Sequence, residues 1–269
     1  MSTTAAGYER IVCMTEETTE TIYLLGEEDR IVGISGYTVR PARARKEKPR
    51  VSAFTSANID KILALEPDLV LGFSDLQADI AAELVKRGVE VHVFNHRTID
   101  GILRMVQLVG AMVGCGSGAT DLAQRLSERV ARVRERAARF DRRPRVYFEE
   151  WDDPMISGIR WVSEVVAAAG GDDCFPELAT ESLATNRIIA SPAAVVERSP
   201  DIILGSWCGK KFRPERVAAR PGFDTTPAVR HGQLHEVKSS IILQPGPAAL
   251  TDGLDRVDEI ITTWAEAQA

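Results

Sequence analysis

The chain has 269 residues, 44% of them hydrophobic and 27% charged, with a formal net charge of −6. That length and balance predict a soluble globular protein, either one large domain or two lobes of ordinary size. The acidic surplus argues against general nucleic-acid binding, and no apolar run is long enough for a membrane-spanning helix.

Met1 to Arg10 is polar and lacks the apolar core of a secretory leader. The chain as it stands is therefore expected in the cytoplasm, or in the periplasm if a leader has been removed. Arg10 to Met14 reads as a first strand, followed by Thr15-Glu16-Glu17-Thr18 and a helical stretch through Ile22 and Leu25 to Gly26. Ile31 to Ile34 is a second strand, and Arg40 to Arg50 reads as a basic loop. A helix over about Ala78 to Arg87, capped by Gly88, precedes a strand over Val89 to Phe94, and Ile99 to Val113 is helical again. Strands alternating with helices predict a mostly parallel sheet covered on both faces.

Between Ser117 and Phe140 the pattern changes. Leu122, Leu126, Val130, Val133 and Ala137 recur at helical spacing among Arg and Glu, which predicts one long helix of roughly 30 Å. A second α/β half then begins with the strand Arg145 to Phe148. Trp161 to Ala169 reads as a helix closed by Gly170-Gly171, Gln233 to Val237 as a strand, and Leu250 to Ala267 as a closing amphipathic helix.

One phrase occurs twice. Ile62-Leu63-Ala64-Leu65-Glu66-Pro67-Asp68-Leu69-Val70-Leu71-Gly72 returns as Val195-Val196-Glu197-Arg198-Ser199-Pro200-Asp201-Ile202-Ile203-Leu204-Gly205. Each copy reads as a helix end, a Pro-Asp turn, a buried strand and a glycine. The fold expected is thus α/β: two Rossmann-like lobes with mostly parallel sheets, joined by one long α-helix, with a ligand cleft between the lobes. The boundaries are 1–116 for the first lobe, 117–141 for the helix and 142–269 for the second lobe.

Ligands in open α/β sheets bind beyond the carboxyl ends of the strands. That rule selects the loops Thr15 to Thr18, Ser35 to Tyr37, Phe73 to Gln77, Asn95 to Arg97, Glu149 to Asp153 and Ser206 to Lys210. Tyr37, Phe73, Trp151 and Trp207 fall there, and flat aromatic walls suit a large, partly apolar ligand. The alternative is that each aromatic caps its own lobe. Carboxylates such as Glu16 and Glu150 would accept hydrogen bonds from amide or amine groups and disfavour a strongly anionic ligand; Arg187 is expected as a further polar contact to the ligand's side groups, and it and other basic residues work the other way. Glu16 and Glu149 have a second reading as helix N-terminal residues. His92/His96 and His231/His235 have the spacing of helical metal sites, but in strand-like sequence such residues stand about 13 Å apart, so only His96 is kept as a ligand contact and no metal is expected. The cysteines Cys13, Cys115, Cys174 and Cys208 fit no zinc motif, leaving a Cys174–Cys208 disulfide open. Neither a nucleophile elbow nor a Walker A loop is present.

The chain resembles the cobalamin-type (class III, helical-backbone) substrate-binding proteins of ABC importers. The resemblance is carried by Met14-Thr15-Glu16-Glu17-Thr18-Thr19-Glu20, Gly33-Ile34-Ser35-Gly36-Tyr37, Glu66-Pro67-Asp68-Leu69-Val70-Leu71-Gly72, the Trp161-Val162-Ser163-Glu164 helix start, and Gln244-Pro245-Gly246-Pro247 with the residues after it. It implies a non-enzymatic protein that binds a corrinoid and needs no cofactor. Tyr37 matches a tyrosine that packs on the corrin, and Phe73 stands where the family often has tryptophan. Asp79 lies near an acidic residue used for docking on the permease, with Glu215 as the candidate counterpart in the second lobe. A monomer is expected, partnered by a permease if it is exported. Haem or an iron–siderophore is the alternative ligand. A two-lobed metal-cluster enzyme is the alternative of another class, opposed by the scattered cysteines.

Overall fold

A computed structural model describes residues 7–268; the start of the polar segment read above, residues 1–6, lies outside the described residues. The chain divides into two compact units, Met1–His96 with Asp100–Ser127, and Arg97–Ile99 with Glu128–Ala269.

The first unit runs β1 (Ile11–Cys13), α1 (Glu16–Leu24), β2 (Ile31–Ser35), α2 (Ala44–Glu47), β3 (Arg50–Ser52), α3 (Ile59–Leu63), β4 (Leu69–Phe73), α4 (Ala78–Lys86), β5 (Val91–Phe94) and α5 (Ile99–Met112), and then enters α6 (Gly116–Ala137). Its sheet has the order β3-β2-β1-β4-β5, with every adjacent pair parallel. The central strands are continuous apolar runs because helices cover both faces. The expected basic loop from Arg40 to Arg50 instead holds α2 and opens β3. Its charge is absorbed locally: Arg43 pairs with Glu28 and Glu47 and lies 4.7 Å from the Tyr23 ring centroid.

Helix α6 is a single 22-residue rod of about 33 Å. Leu122, Leu126, Val130, Val133 and Ala137, the stripe read from the sequence, are all buried. Its start packs closely on α5, where a Cβ at Gly110 would stand 2.0 Å from that of Ala119. Its end pairs with the last helix through Arg129–Asp255 and Arg136–Asp258.

The second unit continues with β6 (Arg145–Asp152), β7 (Met155–Ser157), α7 (Arg160–Ala168), β8 (Asp172–Asp173), α8 (Pro176–Ala179), α9 (Pro192–Arg198), β9 (Ile202–Gly205), α10 (Pro214–Ala218), α11 (Pro227–Arg230), β10 (Leu234–Glu236), α12 (Ser239–Ile242) and α13 (Asp252–Glu266). Its sheet runs β10-β9-β6-β7, with β8 also on β6 and the β6–β7 pair antiparallel. Here the sequence reading needs correction. Glu149 to Asp152 is not a loop but the second half of β6, which turns back into a hairpin. His231 likewise ends α11 and is not in a strand. Cys174 is buried and Cys208 is exposed, and no disulfide joins them.

The repeated phrase has a clear physical content. Glu66 and Ser199 take left-handed conformations (φ 47° and 48°) that stop the helix before each proline. The aspartates then grip the first strand of their own unit. Asp68 accepts from the amides of Glu9 and Arg10 at 2.7 and 2.9 Å. Asp201 accepts from the Arg145 amide at 2.9 Å and from the Arg142 guanidinium at 2.8 Å. Each repeat strand thereby lies beside the opening strand, β4 on β1 and β9 on β6.

Candidate functional site

In the first unit the strand ends converge on one small group of loops. Ser74 takes φ 71° directly after β4, and its hydroxyl accepts the Leu76 amide at 3.1 Å. Gln77, fully buried, spans two of the loops. Its Oε1 accepts the Phe73 amide at 3.0 Å and its Nε2 donates to the Phe54 carbonyl at 2.9 Å. Gly36 donates to the Ser52 carbonyl at 2.7 Å, tying β2 to β3. These links leave Tyr37 62% exposed, with Phe54 and Leu76 also exposed.

Phe73 is placed differently from the expectation. It is the last residue of β4 and is buried, with the His96 ring edge-on at 5.2 Å. His96 itself is half-buried. Glu16 opens α1 and is buried, with Oε1 accepting the Val39 amide at 3.1 Å. It is not the helix cap: Thr15 holds that position, without a side-chain capping bond. Burial first, then the neighbouring carboxyls, pushes Glu16 up to about 8, and burial pushes Glu17 up to about 7. The head of α1 is therefore far less anionic than its sequence suggests.

In the second unit the same kind of residues are paired. Glu149, fully buried, accepts from Tyr147 Oη at 2.7 Å, from Trp207 Nε1 at 2.9 Å and from both terminal nitrogens of Arg220. The reading of Glu149 as a helix N-terminal residue is thus overturned by its place in β6. Glu150 forms a two-pronged pair with the buried Arg187, at 2.7 and 3.2 Å. Burial pushes the Asp152 carboxyl up, but Lys210 at 2.5 Å and Arg216 at 3.4 Å outweigh it and hold the group below its ordinary value.

Trp207 is 3% exposed and packs edge-on against Phe212 at 5.1 Å, so the free aromatic wall expected from its loop position is not formed. Trp151 is half-buried. Its indole N–H donates to the Asp153 carbonyl at 2.9 Å, and the Lys210 ammonium lies 3.8 Å from its ring centroid. Asp79, near the start of α4, and Glu215, on α10, are both exposed.

The structure thus brings Phe73 and His96 together, Glu150 with Arg187, and Trp207 with Glu149. It also adds Phe54 and Arg220, which the sequence reading missed, and gives specific roles to Leu76, Gln77 and Lys210, which that reading had placed in the selected loops. A signal for Phe54 was available: Arg50-Val51-Ser52 is a short strand, so Phe54 occupies the same place after its strand as Tyr37 does after β2. Among the described residues no cluster of His, Cys, Asp and Glu is arranged to hold a metal ion, and no helix is long and apolar enough to cross a membrane.

Comparison with known proteins follows the same lines. The chain is 25% identical over 246 residues to a cobalamin-binding protein of Halobacterium salinarum, covering 89% of this chain and 66% of that one. The periplasmic vitamin B12 binding protein BtuF of Vibrio cholerae superposes with a TM-score of 0.78 at 22% identity, over 96% of this chain and 98% of that chain. A periplasmic heme binding protein of Pseudomonas aeruginosa gives 0.81 at 21% identity, over 96% and 94%. The two structures establish the shared fold. The family description "periplasmic binding protein" matches residues 11–241, and the chain belongs to that family.

Proposed function

We propose that the protein binds cobalamin or a related corrinoid, without chemical change to it, at the carboxyl ends of its parallel strands. The observation that carries this reading is the exposed group Tyr37, Phe54 and Leu76 at the strand ends of the first unit. Glu16, which holds the Val39 amide next to this group, is a carboxyl that burial inclines toward the neutral acid. Such a surface suits a broad macrocycle fringed with neutral amides. The cobalamin-binding relative supports the same ligand. Tyr37, Phe54 and Leu76 in the first unit, and separately Trp151 in the second, are the proposed direct contacts. His96, Phe73, Glu16, Trp207 and the Glu150–Arg187 pair would hold them in place. Asp79 and Glu215 are the proposed contacts with an ABC permease.

Haem is the second reading, favoured by the exposed Tyr37 phenol, a ligand type that ferric haem accepts. Titration with cyanocobalamin, followed by heat and by the visible spectrum, tests the first. Saturable binding well below 100 μM is expected, weakened about tenfold by Tyr37→Ala. No heat and no spectral change at about 100 μM would exclude the corrinoid, and a haem spectrum that sharpens on mixing would then favour the alternative.

A further inference from the structure

The segment that carries Tyr37 leaves β2 and reaches α2, and two carboxyls of α1 hold it on the way. Glu16 Oε1 accepts the Val39 amide at 3.1 Å, and Glu20 Oε1 accepts from Arg40 Nε at 2.9 Å. Glu16 Oε2 is buried with no hydrogen-bond partner in the protein. The hydroxyl of Thr38, the fully buried neighbour of Val39, has none either. An anion there would lack the donors that make a buried carboxylate tolerable. The charged groups acting on Glu16 are Glu17 and Glu20 on α1, Arg45 on α2 and, through Glu20, Arg40 on the segment itself. Burial and the two glutamates oppose its ionisation, while the Val39 amide and Arg45 favour it.

We propose that Glu16 is a positioning residue for Tyr37: its neutral carboxyl holds the Tyr37 segment against α1, and its ionisation releases that segment. The protonated acid keeps an oxygen for the Val39 amide and places no charge beside Glu17 and Glu20. Loss of the proton leaves Oε2 charged with no donor in the protein, and water reaches it when the segment lifts. The held form therefore has its full stabilisation below the ordinary carboxylate range and loses it progressively as pH rises to about 8. The consequence for ligand affinity rests on the binding function proposed above; the movement of the segment does not.

Hydrogen exchange in the ligand-free protein tests this between pH 6.5 and 9.5, after correction for the intrinsic rate. Protection of the Val39 amide is expected to fall about tenfold per pH unit up to about 8 and to level off above it. Glu16→Gln keeps an acceptor for Val39 but cannot ionise, and should hold protection constant. Glu17→Gln removes a neighbouring carboxyl and should move the midpoint to lower pH. Constant protection in the native protein, or the same loss in Glu16→Gln, would overturn the proposal. Cyanocobalamin titrations at pH 7 and 9 extend it: affinity should drop in the native protein and not in Glu16→Gln. Absence of cobalamin binding at either pH would count against the ligand alone, because the exchange measurement decides the positioning role without it.

Discussion

The two units place carboxyls near the carboxyl ends of their opening strands and treat them in opposite ways. Glu16 and Glu17 follow the opening strand of the first unit; Glu149 and Glu150 lie within the opening strand of the second, directly after its apolar residues. The first pair is buried without cationic hydrogen-bond partners and leans toward the neutral acid. The second is ionically paired, Glu149 to Arg220 and Glu150 to Arg187. The aromatics divide in the same way: Tyr37 is open to solvent, whereas Trp207 is packed away and Trp151 lies under Lys210. Repetition of a sequence pattern thus fixes where a group stands, and the groups that arrive from elsewhere in the chain fix its charge and its availability.

The sharpest way to break the contrast is Arg220→Met. Glu149 would then be buried without its cation, and stability should drop by about 3–5 kcal/mol in chemical denaturation. Adding Glu149→Gln should recover much of the loss. A loss under 1 kcal/mol would mean that Glu149 is already solvated. Glu16→Gln, the matching change in the first unit, removes no cation and should not destabilise the fold at pH 9.

The repeat glycines provide a finer comparison. A Cβ at Gly205 would stand 1.9 Å from the Phe212 ring, whereas at Gly72 it would meet Gln77 Oε1 at 2.7 Å and Met14 Cε at 3.0 Å. The Phe212 ring lies far inside contact distance, whereas Gln77 and Met14 have less far to give. Gly205→Ala is therefore expected to cost about 3 kcal/mol and Gly72→Ala nearer 1 kcal/mol. Equal melting temperatures for the two variants would show that both sites relax alike.

The smallest effect is a slope. Glu16 and Glu17 have raised values in the folded protein, so their contribution to stability is complete below their unfolded pKa and is lost as pH rises toward 8. Asp152 is held low, so its contribution is present above its ordinary value and lost as pH falls through the depressed one. Each group changes stability by at most about 1.4 kcal/mol per pH unit. Denaturation series across the pH scale should show Glu16→Gln flattening only the decline between the ordinary carboxylate range and about pH 8, and Asp152→Asn only the acid limb.

Much of this arrangement was legible in the residues. The apolar stripe from Leu122 to Ala137 fixes α6 because helical periodicity is local, and the Pro-Asp phrase marks both repeat strands. The β6–β7 hairpin was not legible. Glu149-Glu150-Trp151-Asp152 reads as a polar loop until Arg220, Arg187 and Lys210 neutralise it from distant segments. Glu149 and Phe212 decide that Trp207 is buried. Phe54 was overlooked because the three-residue strand before it is too short to stand out, and Leu76 because a single apolar residue in a polar loop carries no periodicity. Tyr37 was found because its place after β2 follows from topology alone.

Gln77 has a consequence for experiment. Its carboxamide is held at both ends, by the Phe73 amide and the Phe54 carbonyl, and is shielded from water. In a nitrogen-15 spectrum such a side chain gives a resolved, slowly exchanging pair of proton signals. The two loops it joins carry Phe54 and Leu76, so those signals would register the arrival of a guest molecule without any engineered label.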